Sequence, residues 1–374
     1  MKKSEMWTYH NPVAVTFGLG CFDRIAILVA ARPYLLVTYP DAHFAVLASR
    51  LAELLGPPAG MVSDVSPDPD IVDLARQSSG IAMLETQPEV VLALGGGSVI
   101  DSAKVLAASA EGFATVETLL DGGKPSSGWN PLPLIAVPTT AGTGSEVTCW
   151  ATVWDRKASI KRSLEYPMLY PEAAVIDPHL MHSMPCALTV STGLDALSHA
   201  LESLWNRNVN SITATHAVAA ARVILEALPA LVADPENLDS RSRMAAASLS
   251  AGLAFSCTRT AIAHAISYPV TLRYGVPHGI ACSFTLPMIL DSLAEIEGLT
   301  GQGLREIFGP DLRVGARRLA DTLDQLGVGL DPADYGIDTE EWAAIFNEAT
   351  VGARGRNFIG TVRRPLQPLP PFAS

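Results

Sequence analysis

The first half of the chain alternates short, uninterrupted apolar runs with segments whose apolar residues recur at spacings of three and four. Pro33 to Tyr39 (PYLLVTY), Glu89 to Gly97 (EVVLALGGG) and Pro133 to Thr140 (PLIAVPTT) each read as a buried strand that ends in a turn. HFAVLASRLAELL and DIVDLARQSSGIAMLE lie between them and carry the helical period. Strand, turn, helix and strand in that order predict a parallel, Rossmann-like α/β sheet with helices on its faces. Ligands bind such a sheet beyond the carboxyl ends of its strands. The pattern changes near DPHLMHSMPCALTVSTG. From about Ser191 the chain is rich in Ala, Leu and Ser at helical spacing, and SITATHAVAAARVILEALPALVAD and RSRMAAASLSAGLAF read as long helices. The boundary is therefore set near Pro185. Residues 1–185 are expected to form the α/β domain, and residues 186–374 an all-helical domain. The closing RRPLQPLPPFAS, with three prolines in its last eight residues, reads as an irregular tail.

Composition narrows the class. With 48% hydrophobic and 17% charged residues over 374 positions, the chain has the balance of a well-buried globular enzyme in two domains. A formal net charge of -12 opposes binding to polyphosphate backbones and anionic membranes, so neither nucleic acid nor membrane is expected as a partner. Five scattered cysteines without a CxxC pair read as buried, reduced thiols in a cytoplasmic protein. The opening MKKSEMWTYHNP lacks the apolar run of a signal peptide, and no apolar stretch of membrane-spanning length is expected.

Two glycine- and threonine-rich turns carry candidate binding chemistry. GGGSVIDSAK (Gly95 to Lys104) follows a strand and opens a helix, where backbone N–H groups and the helix dipole suit a pyrophosphate. Ser98 is placed to cap that helix, with Asp101 at capping-box spacing. PTTAGTGSEVT (Pro138 to Thr148) adds the hydroxyls of Thr139, Thr140, Thr143 and Ser145. This is not a GxGxxG pattern, and the glycines alone also suit a turn that merely closes a βα unit.

A candidate metal site lies further along. Asp195 and His199, four apart in STGLDALSHALES, share one helix face; His264 lies in TAIAHAISY, and His278 follows 14 residues later in YGVPHGIA. One carboxylate and three imidazoles suit iron or zinc. Each residue alone also has a structural reading: a hydrogen-bonded core histidine, a helix cap, a loop residue. His10, His43, His179, His182 and His216 have no partners at metal spacing.

These segments resemble the iron-containing alcohol dehydrogenases. The likeness runs from NPVAVTFGLG through GGGSVIDSAK, PTTAGTGSEVT and AAVIDPHLMHSMP to TGLDALSHALE and the PHG around His278. It implies a nucleotide-binding domain, a helical metal domain and catalysis in the cleft between them. Asp195, His199, His264 and His278 would be ligands to Fe2+ or Zn2+. Gly96, Gly97, Ser98, Thr139, Thr140 and Lys161 would contact NADH or NADPH, with Asp101 and Thr143 beside them, and the assembly would be a homodimer. Two departures matter. Tyr39 stands where many members carry a ribose-binding Asp, so no preference between NADH and NADPH follows. Tyr268 replaces a histidine that many members carry four residues after the third ligand, which leaves Tyr268 as the candidate proton relay. HAISYPVT, TCWATVWD and ALESLWN resemble the phosphonoacetaldehyde reductase (hydroxyethylphosphonate dehydrogenase) subgroup. That resemblance implies reduction of phosphonoacetaldehyde to 2-hydroxyethylphosphonate, with Arg259 and Thr260 as candidate anion contacts and Arg273 and Arg162 behind them. A general short-chain alcohol dehydrogenase is the alternative within the family. Outside it stand a lyase resembling dehydroquinate synthase, a metal-dependent hydrolase and a nucleotide-sensing protein.

Overall fold

The computed structural model describes residues 6–158 and 160–360, so the proline-rich segment 363–374 lies outside the described residues. The chain divides into two compact units. A sheet unit spans Pro12–Thr140 and Gly144–Met181, and a helical unit takes the described parts of 1–11, 141–143 and 182–374.

The sheet unit contains β1 (Ala14–Phe17), α1 (Ile25–Val29), β2 (Tyr34–Val37), α2 (Ala42–Leu55), β3 (Gly60–Val62), α3 (Ile71–Ala82) and β4 (Val90–Gly95). It continues through α4 (Gly97–Ala108), α5 (Phe113–Leu120), β5 (Leu134–Pro138), β6 (Trp150–Asp155), β7 (Ile160–Glu165) and β8 (Ala173–Ile176). Six strands form one parallel sheet in the order β1-β8-β5-β4-β2-β3. Strands β2, β4 and β5 are buried at every position, as expected for interior strands covered on both faces. These are the three strands that the apolar runs predict.

The remaining strands escape that pattern for identifiable reasons. Edge strands β1 and β3 have three or four residues and are partly exposed, so they carry no sustained apolar run. β6 and β7 form a separate antiparallel hairpin in which polar and charged residues interrupt the apolar ones. The connection after β2 leads outward to β3, and the one after β4 leads to β5 on the other side. The chain therefore reverses direction between β2 and β4, and the crevice this leaves at the carboxyl ends is the usual ligand position in such sheets.

The helical unit contains α6 (Cys186–Leu204), α7 (Ser211–Ala233), α8 (Leu238–Thr258), α9 (Ile262–Tyr274), α10 (His278–Ser283), α11 (Leu286–Ser292), α12 (Gly298–Phe308), α13 (Leu312–Gln325) and α14 (Thr339–Val351). Among the described residues one helix, α7, is long and apolar enough to cross a membrane. It packs on α6, α8 and α12, and its Ala217, Ala221, Ile224 and Leu228 are in the core of this unit. Helix α6 is the central element: every residue from Gly193 to Leu204 is buried. An all-round buried helix should be apolar, yet this one carries Asp195, Ser198, His199, Glu202 and Ser203 inside. Buried polar groups need partners, and following those partners leads to the site.

Candidate metal centre and cofactor loops

Two of the five polar residues on α6 satisfy themselves locally. Ser198 and Ser203 donate to the carbonyls of Leu194 and His199, both at 2.8 Å. Glu202 reaches across to α9. Its carboxylate accepts the backbone N–H of Ala261 at 2.8 Å, of Ala263 at 2.6 Å and of His264 at 3.2 Å. No side chain of its own caps α9, so Glu202 supplies the acceptors that the first turn lacks, with its charge at the positive end of the helix dipole. The same carboxylate lies 2.7 Å from Nδ1 of His264. That contact fixes the proton on Nδ1 and leaves the Nε2 lone pair facing inward. His199 is held in the same way, with Nδ1 donating to the carbonyl of Gly142 at 3.2 Å.

Three imidazole Nε2 atoms then converge on one carboxylate oxygen. Asp195 Oδ1 lies 3.4 Å from Nε2 of His264, 3.7 Å from that of His199 and 3.9 Å from that of His278. Asp195 Oδ1 and His264 Nε2 are buried with no hydrogen-bond partner. Such orphaned atoms cost free energy unless a cation completes them. Burial opposes ionisation of Asp195, but the imidazoles of His199, His264 and His278 outweigh it and hold the carboxylate below its usual range. Burial pushes His199 down to about 4 despite Asp195, so its ring is neutral at physiological pH. The charged Asp195 and the neutral His199 are already in the protonation states that a divalent metal requires. His264 and His278, which burial alone would push down, are instead pushed up by Cys282 and by the carboxylates of Glu202 and Asp195, so a metal would displace a proton from each. The donor set fits Fe2+ or Zn2+.

The elements that place these donors are built for close approach. His278 is the first residue of α10, and Gly279 packs against α6, where a Cβ would fall 1.8 Å from the carbonyl oxygen of Ser191. His199 is stacked on Phe255 at 4.0 Å between ring centroids. Glu202→Gln is expected to weaken metal binding by about 10–100-fold, the usual effect of losing an outer partner of a ligating histidine. Chelator competition on the purified variant checks this.

In the sheet unit, the ends of β2, β4 and β5 bring Tyr39, Gly96 and Thr140 together. A Cβ on Gly96 would lie 3.2 Å from Thr140 Oγ1 and 3.4 Å from the hydroxyl oxygen of Tyr39. Thr139 is buried, and its N–H donates to the carbonyl of Gly95 at 3.0 Å. Helix α4 starts at Gly97 with no side-chain cap. A backbone cradle without a Cβ at an uncapped helix start fits a pyrophosphate.

The expected capping box at Ser98 and Asp101 does not form. The chain enters α4 directly from β4 through Gly96, so Ser98 already lies in the first turn. The Asp101 carboxylate instead accepts from Ser145 Oγ and from the N–H of Thr152. Beside it the buried Lys104 ammonium donates to Ser145 O at 2.7 Å, Ser145 Oγ at 3.1 Å, Thr148 Oγ1 at 3.1 Å and Trp150 O at 2.8 Å. Burial lowers Lys104 to about 8, partly offset by Asp101. Asp101 and Lys104 thus pin the segment after the second glycine turn. Lys161 sits on β7 opposite Trp154, and Thr143 belongs to the helical unit.

The candidate anion contacts separate. Arg259 is exposed at the end of α8 with φ 66, and Thr260 is buried with its carbonyl accepting from Asn357. Arg273 and Arg162 are paired with Glu348 and Asp121. Tyr268 lies one turn beyond His264 with its ring stacked on His278, centroids 5.8 Å apart. The Arg354 guanidinium lies over the Tyr268 ring, 4.9 Å from its centroid. Glu202, Cys282 and Arg354 are not singled out by the sequence pattern. Glu202 does carry a signal, an acid one turn after His199 on a helix otherwise buried all round.

The pattern of the family described as iron-containing alcohol dehydrogenase matches residues 12–178, and that of its C-terminal part matches residues 189–360. The 1-propanol dehydrogenase of Citrobacter freundii is 36% identical over 230 residues, covering 61% of this chain and 57% of that protein. The phosphonoacetaldehyde reductase of Streptomyces viridochromogenes is 36% identical over 252 residues, covering 65% of this chain and 62% of that one. The matches thus span less than two thirds of either relative. Among solved structures, the sulfoacetaldehyde reductase of Bifidobacterium kashiwanohense in complex with NAD+ has a TM-score of 0.87 at 31% identity, covering 95% of this chain and 94% of its own. With both patterns matched over most of its length, this chain belongs to the iron-containing alcohol dehydrogenase family.

Proposed function

We propose that this protein reduces a small aldehyde to its primary alcohol with NADH or NADPH and a divalent metal, and that its substrate is phosphonoacetaldehyde. The observation that carries the reading is the convergence of Asp195 with three imidazoles around orphaned buried atoms. In this reading Asp195, His199, His264 and His278 hold the metal. Gly96, Gly97, Ser98, Thr139 and Thr140 hold the cofactor, with Asp101, Thr143 and Lys161 beside them. The domains are assigned to 1–185 and 186–374, the assembly to a homodimer and the compartment to the cytoplasm, on the family resemblance and composition.

When bound, the metal supplies Lewis acidity toward a carbonyl oxygen and the reduced nicotinamide supplies a hydride. The chain's own groups do the rest. Asp195 contributes one negative charge, and imidazoles, which bind a metal in their neutral form, add none, so a divalent ion would stay electron-poor. Glu202 and the Gly142 carbonyl keep both rings from rotating. Tyr268 Oη is assigned the proton that completes the alcohol.

Two observations support an anionic substrate. Relatives named for phosphonoacetaldehyde and sulfoacetaldehyde reduction both take a two-carbon aldehyde bearing an anionic group. The Arg354 guanidinium also lies over the ring of Tyr268, 4.9 Å from its centroid, and Tyr268 in turn stacks on His278 at 5.8 Å, so a cation stands two ring contacts from the proposed centre. The likeness to a 1-propanol dehydrogenase favours a second reading, an uncharged short-chain aldehyde. Steady-state rates on the metal-loaded protein decide between them. One charge-assisted contact implies a kcat/KM for phosphonoacetaldehyde about 10–100-fold above that for propanal. Equal or faster turnover of propanal selects the second reading.

A further inference from the structure

Helix α10 brings two donors to the centre. His278 is its first residue, and Cys282 follows four residues later on the same face. Cys282 is a free thiol with no exposed surface. A buried cysteine commonly serves as a small apolar residue, but this sulfur faces imidazoles: Sγ lies 3.6 Å from Nε2 of His278. One donor atom each from Asp195, His264, His278 and Cys282 lie within 4.8 Å of one another, a group that does not include His199.

Two of the spacings match those of a four-donor coordination shell, and the others are longer. Zinc binds nitrogen and oxygen at about 2.0–2.1 Å and sulfur at about 2.3 Å, which at tetrahedral angles separates nitrogen from sulfur by about 3.6 Å and nitrogen from oxygen by about 3.4 Å. The His278–Cys282 separation is 3.6 Å to Nε2, and the His264–Asp195 separation is 3.4 Å. Sγ is also 3.9 Å from Nδ1 of His278, and Asp195 lies 3.7 Å from His199 and 3.9 Å from His278, so the His278 ring has to turn for both residues to reach one ion. Asp195 Oδ1 and His264 Nε2, the two orphaned atoms, belong to this same group.

We propose that Cys282 is a ligand of the metal centre, adding a thiolate to Asp195, His264 and His278, with His199 as the remaining donor. This rests on the reading of the cluster as a metal site. The thiol proton leaves to solvent as the metal–sulfur bond forms. A soft sulfur donor shifts the preference of a carboxylate–imidazole site away from ferrous iron and toward zinc.

Zinc-edge X-ray absorption on the zinc-reconstituted full chain tests this directly. The expected spectrum has one sulfur per zinc at about 2.3 Å beside nitrogen and oxygen at about 2.0–2.1 Å. In Cys282→Ser the sulfur shell disappears, and chelator competition shows zinc affinity lowered about ten-fold or more, ferrous iron less. The wild-type spectrum is decisive even where the variant fails to fold. Stoichiometric zinc surrounded only by nitrogen and oxygen, or a sulfur shell that survives in Cys282→Ser, overturns the role of Cys282 and leaves the metal centre standing. Failure of the wild-type protein to bind zinc or iron overturns both.

Discussion

Gly279→Ala is expected to cost the protein most of its bound metal and about 100-fold or more of its turnover. The added Cβ falls 1.8 Å from the carbonyl oxygen and 2.7 Å from the carbonyl carbon of Ser191. Both are backbone atoms of α6, so the strain cannot be relieved by turning a side chain. Helix α10 has to lift away from α6 instead. His278 is adjacent to the substituted residue and moves with it, as does Cys282 one turn on. Metal–ligand distances tolerate about 0.2 Å, and a displacement of about 1 Å at a reacting centre is enough for a 100-fold loss. Overpacking should also cost about 1–3 kcal/mol of stability. Elemental analysis and kcat on the purified variant, with circular dichroism to verify its helices, measure these effects. Full metal content and normal kcat would mean that α10 slides freely, and that the tight contact has no part in placing His278.

The second large effect is expected at the other glycine contact. Gly96→Val puts a branched side chain where even a Cβ would meet Thr140 at 3.2 Å and the Tyr39 hydroxyl at 3.4 Å. Its methyl groups must occupy the approach to the start of α4. The backbone there adopts φ -79 and ψ -168, which valine tolerates, so the effect is steric and confined to the cradle. Losing two charge-assisted hydrogen bonds, each roughly 1.5–3 kcal/mol, weakens a dinucleotide by about 100-fold or more. Fluorescence titration with NADH and NADPH reads that loss, and metal content should stay at the wild-type level. Unchanged cofactor affinity would move the dinucleotide away from Gly96.

Much of this is legible in the sequence, because the relevant signals are local. Asp195 and His199 are four apart on one helix, and β2, β4 and β5 are continuous apolar runs that end in glycine or threonine. What escapes a sequence reading depends on distant partners. Glu202 acts on backbone and ring atoms 59 to 62 residues away, a relation that no local spacing encodes. Cys282 reads as one more buried thiol because its meaning comes from His264, brought alongside by the packing of α9 and α10. The capping box at Ser98 fails for a local reason, since the N-cap position falls on Gly96, which has no side chain, and Ser98 already lies inside the helix. Arg259 lies close to His264 in sequence, yet the turn between α8 and α9 gives it a left-handed backbone and an exposed position.

The central claim is that the Asp195–His199–His264–His278 cluster holds the metal on which aldehyde reduction depends. The most direct measurement follows reduced-nicotinamide oxidation by phosphonoacetaldehyde on a single preparation, as purified, after exhaustive chelation, and after zinc or ferrous iron is added back. Turnover that vanishes with the metal and returns with it is the predicted result. Full turnover in protein shown to be free of metal would contradict the account.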